Sequence, residues 1–253
     1  MNLKATTLGI LMACAALGTA AYISSTPAVQ AKDNNVANLT KEQVEQIVHD
    51  YLLNHPEVIL EVNEKIELLK EKLAKEKQEQ AIKNLYADKT LPQSGPGTDK
   101  AKHFIVEFFD YNCGYCKKAR PIFEGIIKKD PTIQYYYLEL PILSEISYNA
   151  AQVGIAIYQM SPAKYVEYNQ TLMTSNTRLQ NEIELQVVVE KLGLNWSEVK
   201  AKSESMDVQL TLKKIREISQ GFEVSGTPAF IIDGEILRGA PRNENMVLNL
   251  FKK

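Results

Sequence analysis

The sequence predicts an α/β domain preceded by a helical arm. Three observations carry this. An apolar run at residues 103–110 leads into a helical pattern from Lys117, and a second apolar run follows at residues 133–140. Near the C-terminus, two short apolar segments flank Asp233-Gly234, a hairpin signal. Between these lies a long stretch of helical periodicity, and ahead of them a highly charged helical segment, residues 40–88.

The chain has 253 residues, 45% hydrophobic and 24% charged, with a formal net charge of −2. That balance fits a soluble globular protein and excludes a basic nucleic-acid surface. Residues 1–31 read as a secretory signal. Lys4 supplies the positive start, Leu8 to Ala21 the apolar stretch, and Val29-Gln30-Ala31 a small-x-small cleavage site. The apolar stretch is short for a membrane span, which needs about 20 residues. Export places the mature chain in an oxidising compartment. Cys14 then leaves with the signal, and only Cys113 and Cys116 remain. A rival reading takes Leu11-Met12-Ala13 before Cys14 as a lipidation signal; the apolar run continuing past Cys14 argues against it.

Residues 32–38 are polar and expected to be loose. Thr40 and Gln43 form a capping box, with Leu39 and Val44 at the positions of a hydrophobic staple. Val44, Ile47, Val48, Tyr51 and Leu52 share one helical face, and the helix ends near His55 because Pro56 disfavours helical geometry just before it. Pro56 opens a second helix. Along it Ile59, Val62, Ile66, Leu69 and Leu73 repeat as heptad a and d positions do, among many Glu and Lys residues. Each such side chain gains about 1.5–3 kcal/mol on burial, so the stripe needs a cover: another copy of the chain, favoured because a linker follows, or the chain's own domain. A linker, residues 89–102, with Pro92 and Ser94-Gly95-Pro96-Gly97, ends this arm of residues 32–88.

A second domain is expected at residues 103–253. Its first strand is followed by a helix from Lys117 to Lys129, bent by Pro121 and closed by Asp130-Pro131. Ile133 to Leu140 forms the second strand, with Tyr135, Tyr136 and Tyr137 pointing to alternate faces. Residues 144–220 form a helical insert: one buried helix around Ala150 to Ile157, others over Tyr165 to Met173 and Ile183 to Leu192, and one capped by Ser197. The hairpin spans Pro228 to Arg238, and Asn243 caps a final helix through Phe251. Strand-helix-strand joined to hairpin-helix is the thioredoxin arrangement, here opened by the insert.

The candidate chemistry lies at Cys113-Gly114-Tyr115-Cys116, where the first strand turns into a helix. The unpaired N–H groups of a helix start stabilise a thiolate, the form that attacks disulfides. Cys113 is expected to be the exposed, low-pKa nucleophile, and Cys116, one turn in, the buried sulfur that closes a disulfide with it. Lys117, Lys118 and Arg120 add positive charge, or simply form a solvated face. Structural zinc needs about four ligands, and the mature chain adds only His49, His55 and His103. A c-type haem needs histidine where Lys117 stands. Neither metal nor organic cofactor is expected, although copper(I) bound by the two thiolates stays open as an alternative. Glu107 sits in an otherwise apolar strand, either turned to solvent or buried as a proton shuttle for Cys116. Gly226-Thr227-Pro228 is either an ordinary turn or a cis peptide that bares the Thr227 backbone for a client strand.

Val106 to Cys116, the helical insert and Gly226-Thr227-Pro228-Ala229-Phe230 together resemble the DsbA-like periplasmic thiol–disulfide oxidoreductases. The resemblance implies a thioredoxin fold, a nucleophile at Cys113, a resolving cysteine at Cys116, a buried acid at Glu107 and a cis-proline at Pro228. Strongly oxidising members carry Pro-His between the cysteines and valine before the cis-proline; here stand Gly114-Tyr115 and Thr227. Those residues are similar to the dimeric isomerases of the DsbC type, and the arm resembles the oligomerisation segments of the Com1 and ScsC kind. The implied activity is disulfide isomerisation, with disulfide formation as an accompaniment or alternative. Implied contacts are client proteins at Gly114, Tyr115, Thr227 and Pro228, a DsbD-like or DsbB-like membrane redox partner, and further copies of the chain, a dimer before a trimer. A client-binding holdase is a third reading of the arm.

Overall fold

The structure, a computed structural model, describes residues 39–252. The expected signal, Cys14 and the polar stretch 32–38 lie outside these described residues. The chain divides into two compact units, at Glu61 and Val62.

The first unit holds α1, Lys41–Asn54, and the start of α2, Glu57–Ala87. Thr40 and Gln43 cap α1 reciprocally: the Gln43 N–H donates to Thr40 Oγ1 at 3.3 Å and the Thr40 N–H to Gln43 Oε1 at 3.0 Å. His55 is its C-cap, and Pro56 stands just outside α2 rather than within it. The apolar face of α1 is solvent-exposed, Val44, Ile47, Val48 and Tyr51 included.

In the second unit, Val62, Ile66, Leu69 and Leu73 are also exposed, 40–62% each. Further along, α2 changes character: Leu85 is buried and Tyr86 stacks on Phe104 with ring centroids 4.2 Å apart. The segment read as a linker is packed too. Leu91 is fully buried, and β1, Gln93–Ser94, pairs antiparallel with Tyr135 and Tyr136. Pro and Gly mark a turn-rich path here, and the buried Leu91 ties that path to the core.

The sheet runs β1-β3-β2-β4-β5. In it β2 is His103–Phe109, β3 Ile133–Glu139, β4 Ala229–Ile232 and β5 Glu235–Arg238. β2 lies parallel to β3 and antiparallel to β4. Covered on both sides, β2 and β3 are buried almost throughout, which explains their near-continuous apolar run. Between them runs α3, Gly114–Lys129, continuing through Pro121 and capped by Asp130. The insert comprises α4 Glu145–Met160, α5 Pro162–Thr174, α6 Glu182–Lys191, α7 Trp196–Ser203 and α8 Met206–Gly221. The cap of α7 is Asn195, not Ser197, because its side chain accepts the Glu198 N–H. The last helix, α9, is Glu244–Leu248 and stops short of Phe251, whose ring stacks on His103 at 4.3 Å instead. The core gathers Ile105, Phe108, Phe123, Tyr135, Phe230 and Ile231 around the centre of the sheet. Among the described residues, no helix is long and apolar enough to cross a membrane.

Candidate active site

β2 delivers the chain to the site and α3 receives it. Asp110 anchors the turn between them: its Oδ1 accepts the Asn112 N–H at 2.7 Å, and its Oδ2 accepts the Ile142 and Leu143 N–H groups at 2.9 and 3.0 Å. Cys113 is the N-cap of α3, and its sulfur accepts the Cys116 N–H at 3.2 Å. On its other side the sulfur lies 3.4 Å from the Thr227 carbonyl. The Thr227–Pro228 peptide is cis and leads into β4, which pairs with β2.

The two sulfurs sit in opposite electrostatic environments. A hydrogen bond with the Cys116 side chain lowers the Cys113 thiol; burial opposes it, and the Thr227 side chain and the backbone at Cys116 and Tyr115 help, bringing it to about 6. Burial pushes the Cys116 thiol far above its ordinary value, with Cys113 and then Glu107 adding to the effect. The expectation of an exposed nucleophile needs correction: Cys113 is only 5% exposed and Cys116 fully buried. The capping geometry turns the Cys113 sulfur inward, between the α3 N–H groups and the Thr227 carbonyl. Gly114 and Tyr115 between them are exposed, with Lys118 Nζ 5.1 Å above the Tyr115 ring.

Glu107 is fully buried, not turned to solvent. Its Oε2 accepts the Tyr135 hydroxyl at 2.7 Å and lies 3.0 Å from Arg120 Nη2. Burial raises this carboxyl, against the lowering pull of Arg120 and Tyr135. Arg120 is itself buried, not part of a solvated face. Burial works against its charge, which Glu107 and the surrounding tyrosines restore. The pair meets as charges rather than as aligned donors: Glu107 Oε1 and Arg120 Nε and Nη2 find no hydrogen-bond partner among the described residues.

The sequence singled out neither the partnership of Arg120 and Tyr135 with Glu107 nor the anchoring by Asp110. A signal for Arg120 was present. Cys116, Arg120 and Phe123 follow at helical steps of four and three, which puts the guanidinium on the inward face of α3. A second buried acid, Glu139, accepts the Tyr111 hydroxyl at 2.7 Å, and burial holds its carboxyl well above the usual range. Gly154 faces it so closely that any side chain there would strike the Glu139 carboxylate. Among the described residues, no group of three or more His, Cys, Asp or Glu side chains is placed to hold a metal ion.

Residues 104–251 match the DSBA-like thioredoxin domain family, and residues 41–72 match the family described as the copper resistance protein ScsC N-terminal domain. No curated protein sequence matches the chain. Among solved structures, ScsC from Proteus mirabilis in a transitional conformation is similar, with 25% identity and a TM-score of 0.62, covering 83% of this chain and 94% of that one. The catalytic domain of the same protein shows 28% identity and a TM-score of 0.60, covering 69% of this chain and 98% of that one. A thioredoxin-like oxidoreductase from Silicibacter pomeroyi shows 27% identity and a TM-score of 0.60, covering 66% of this chain and 92% of that one. With the fold and more than half of its length matched, the chain belongs to the DsbA-like thioredoxin family, and carries ahead of that domain a segment of the ScsC N-terminal type.

Proposed function

We propose that this chain is a periplasmic thiol–disulfide oxidoreductase that isomerises the disulfides of secreted proteins. The observation that carries the reading is the opposite tuning of two sulfurs one helical turn apart. Near neutrality Cys113 is a thiolate and Cys116 a thiol. The Cys113 thiolate attacks a client disulfide; a Cys113–client bond forms and the other client sulfur leaves as a thiolate. Two exits follow. In isomerisation, a second client thiolate attacks the client sulfur of the mixed disulfide, and Cys113 departs unchanged in redox state. In resolution, Cys116 gives its proton to Glu107 and attacks Cys113, releasing a reduced client and leaving the Cys113–Cys116 disulfide. The reverse sequence oxidises a client. Glu107 Oε1, which accepts no hydrogen bond among the described residues, is the oxygen left to take the proton.

In this reading Gly114, Tyr115, Thr227 and Pro228 hold the client, whose backbone adds as a strand beside Thr227. The arm assembles copies of the chain, two in preference to three. A DsbD-like membrane reductant keeps an isomerase reduced; a DsbB-like oxidant serves the disulfide-forming alternative. A second reading, copper(I) held by the two thiolates, draws on the match of residues 41–72 to a domain named for copper resistance. Only weak binding in an anaerobic copper(I) titration sets it aside.

The test is refolding of a scrambled multi-disulfide substrate by the pure protein, with its reduction potential measured alongside. Native substrate is the expected product, and Cys113→Ser abolishes it. Alkylation of Cys113 should rise with pH and reach half its maximum near pH 6, because only the thiolate reacts and its fraction grows as pH climbs through the thiol's value of about 6. An inflection at an ordinary cysteine's value, about 8.5, overturns the reading.

A further inference from the structure

One loop of the insert is fastened to both flanks of the two-cysteine motif. Asn112 stands immediately before the N-cap Cys113, and Lys117 is the fourth residue of α3. In other helices these two positions carry the hydrophobic staple that fixes the angle at which the chain enters. Here both are polar, and both reach the segment between α5 and α6. Asn112 pairs with the Leu179 backbone in both directions: its Oδ1 accepts the Leu179 N–H at 2.8 Å, and its Nδ2 donates to the Leu179 carbonyl at 3.1 Å. Lys117 Nζ donates to the Ser175 carbonyl at 3.1 Å and the Thr177 carbonyl at 2.6 Å. Asn112 is 5% exposed, and no other standard side chain of its size offers one donor and one acceptor in that geometry. The segment parts two clefts at the site: one of about 410 Å³ bordered by Asn112, Leu143 and Arg178, the other of about 380 Å³ bordered by Gly114, Lys117 and Asn176.

We propose that Asn112 and Lys117 are positioning residues that staple the redox helix to the helical insert through the backbone of residues 175–179, and so hold the Cys113 sulfur over the Cys116 N–H. This rests on Cys113 being the redox nucleophile. The physical link is short. A sulfur that takes the Cys116 N–H at 3.2 Å, with further donors from the same helix start, depends on the entry angle of its own residue, and that angle is set at the position Asn112 occupies. The insert is then part of the machinery that tunes the thiolate, in addition to a cover for the sheet.

The deciding variant is Asn112→Ala, which removes both Leu179 bonds, together with the 3.3 Å bond from Nδ2 to Ser144 Oγ, without changing charge. Three measurements are made on the full chain: the alkylation rate of Cys113 at pH 6, the equilibrium with glutathione, and Tm. Alkylation is expected to fall about fivefold, the loss of thiolate at pH 6 when a thiol moves from about 6 to about 7, and the glutathione equilibrium to shift toward the protein disulfide. Lys117→Met is expected to act in the same direction in 0.5 M salt, where exposed charges more than about 4 Å apart are largely screened, while Lys117→Arg restores much of the wild-type rate. Should Asn112→Ala fail to fold, the two Lys117 variants decide the matter. A lowered Tm with wild-type alkylation rate and glutathione equilibrium overturns the proposal, leaving both residues as braces of the fold. A wild-type alkylation profile like that of an ordinary cysteine instead overturns the redox reading itself, whatever the variants do.

Discussion

Glu107 and Arg120 put two opposite charges out of water beneath the sulfurs, at 0% and 4% side-chain exposure. Such a pair offers little net stability, but removing one partner leaves a bare buried charge and costs about 3–5 kcal/mol. Arg120→Met is therefore expected to lose about that much in urea unfolding at neutral pH, and Glu107→Gln added to it to recover most of the loss. The pH dependence has a definite sign. Burial already raises Glu107, and without Arg120 only the Tyr135 hydroxyl is left to lower it, so its folded-state value stands further above the unfolded one. The destabilisation is then full above the folded value and relieved as pH falls through it, so the urea midpoint of Arg120→Met should rise between pH 8 and pH 5. A pH-independent midpoint would show that Glu107 carries no charge to strand. Sequence made the acid visible, since one carboxylate in an apolar strand stands out. Its surroundings were harder to see, because an arginine beside two lysines reads as surface until its step of four from Cys116 is noticed.

At the scale of elements, strands and caps were legible where they have a local cause. The β4–β5 hairpin follows from Asp233-Gly234, with both residues at positive φ, and the start of α1 from the Thr40–Gln43 box. What escaped were features whose cause is distant. β1 has two residues and no period, and exists because Tyr135 and Tyr136 offer an edge. The end of α2 follows an unbroken polar run, residues 75–80, with only a short apolar group after it, so nothing local shows that Leu85 and Tyr86 reach the core; the Tyr136 hydroxyl donating to the Tyr86 carbonyl at 2.9 Å does. A truncation series separates the two parts of this helix. A chain beginning at Lys77 keeps these contacts and is expected to hold the stability of the second unit. One beginning at Lys89 loses a buried leucine and a stacked tyrosine, and is expected to drop by about 2–5 kcal/mol for the leucine alone. Equal stability of the two would show that α2 adds nothing to the core.

For the whole molecule, the unsolved burial is that of the arm. Val44, Ile47 and Val48 on α1, and Val62, Ile66, Leu69 and Leu73 on α2, are 40–62% exposed in a single chain. The heptad spacing of the α2 residues suits a partner helix, and a second copy supplies the same spacing. Assembly also suits isomerisation: two thiolates held to one client raise the effective concentration of each, so that a disulfide opened by one is caught before the client diffuses away. The expectation is that the full chain sediments as an oligomer, a dimer before a trimer, and restores a scrambled substrate. The chain beginning at Lys77 should sediment as a monomer that still exchanges a single disulfide with glutathione and no longer unscrambles. If the full chain is itself a monomer, the arm has no part in the chemistry. If the shortened monomer unscrambles as well as the full chain, assembly serves some end other than isomerisation, and the tuning of Cys113 within one chain is sufficient for it.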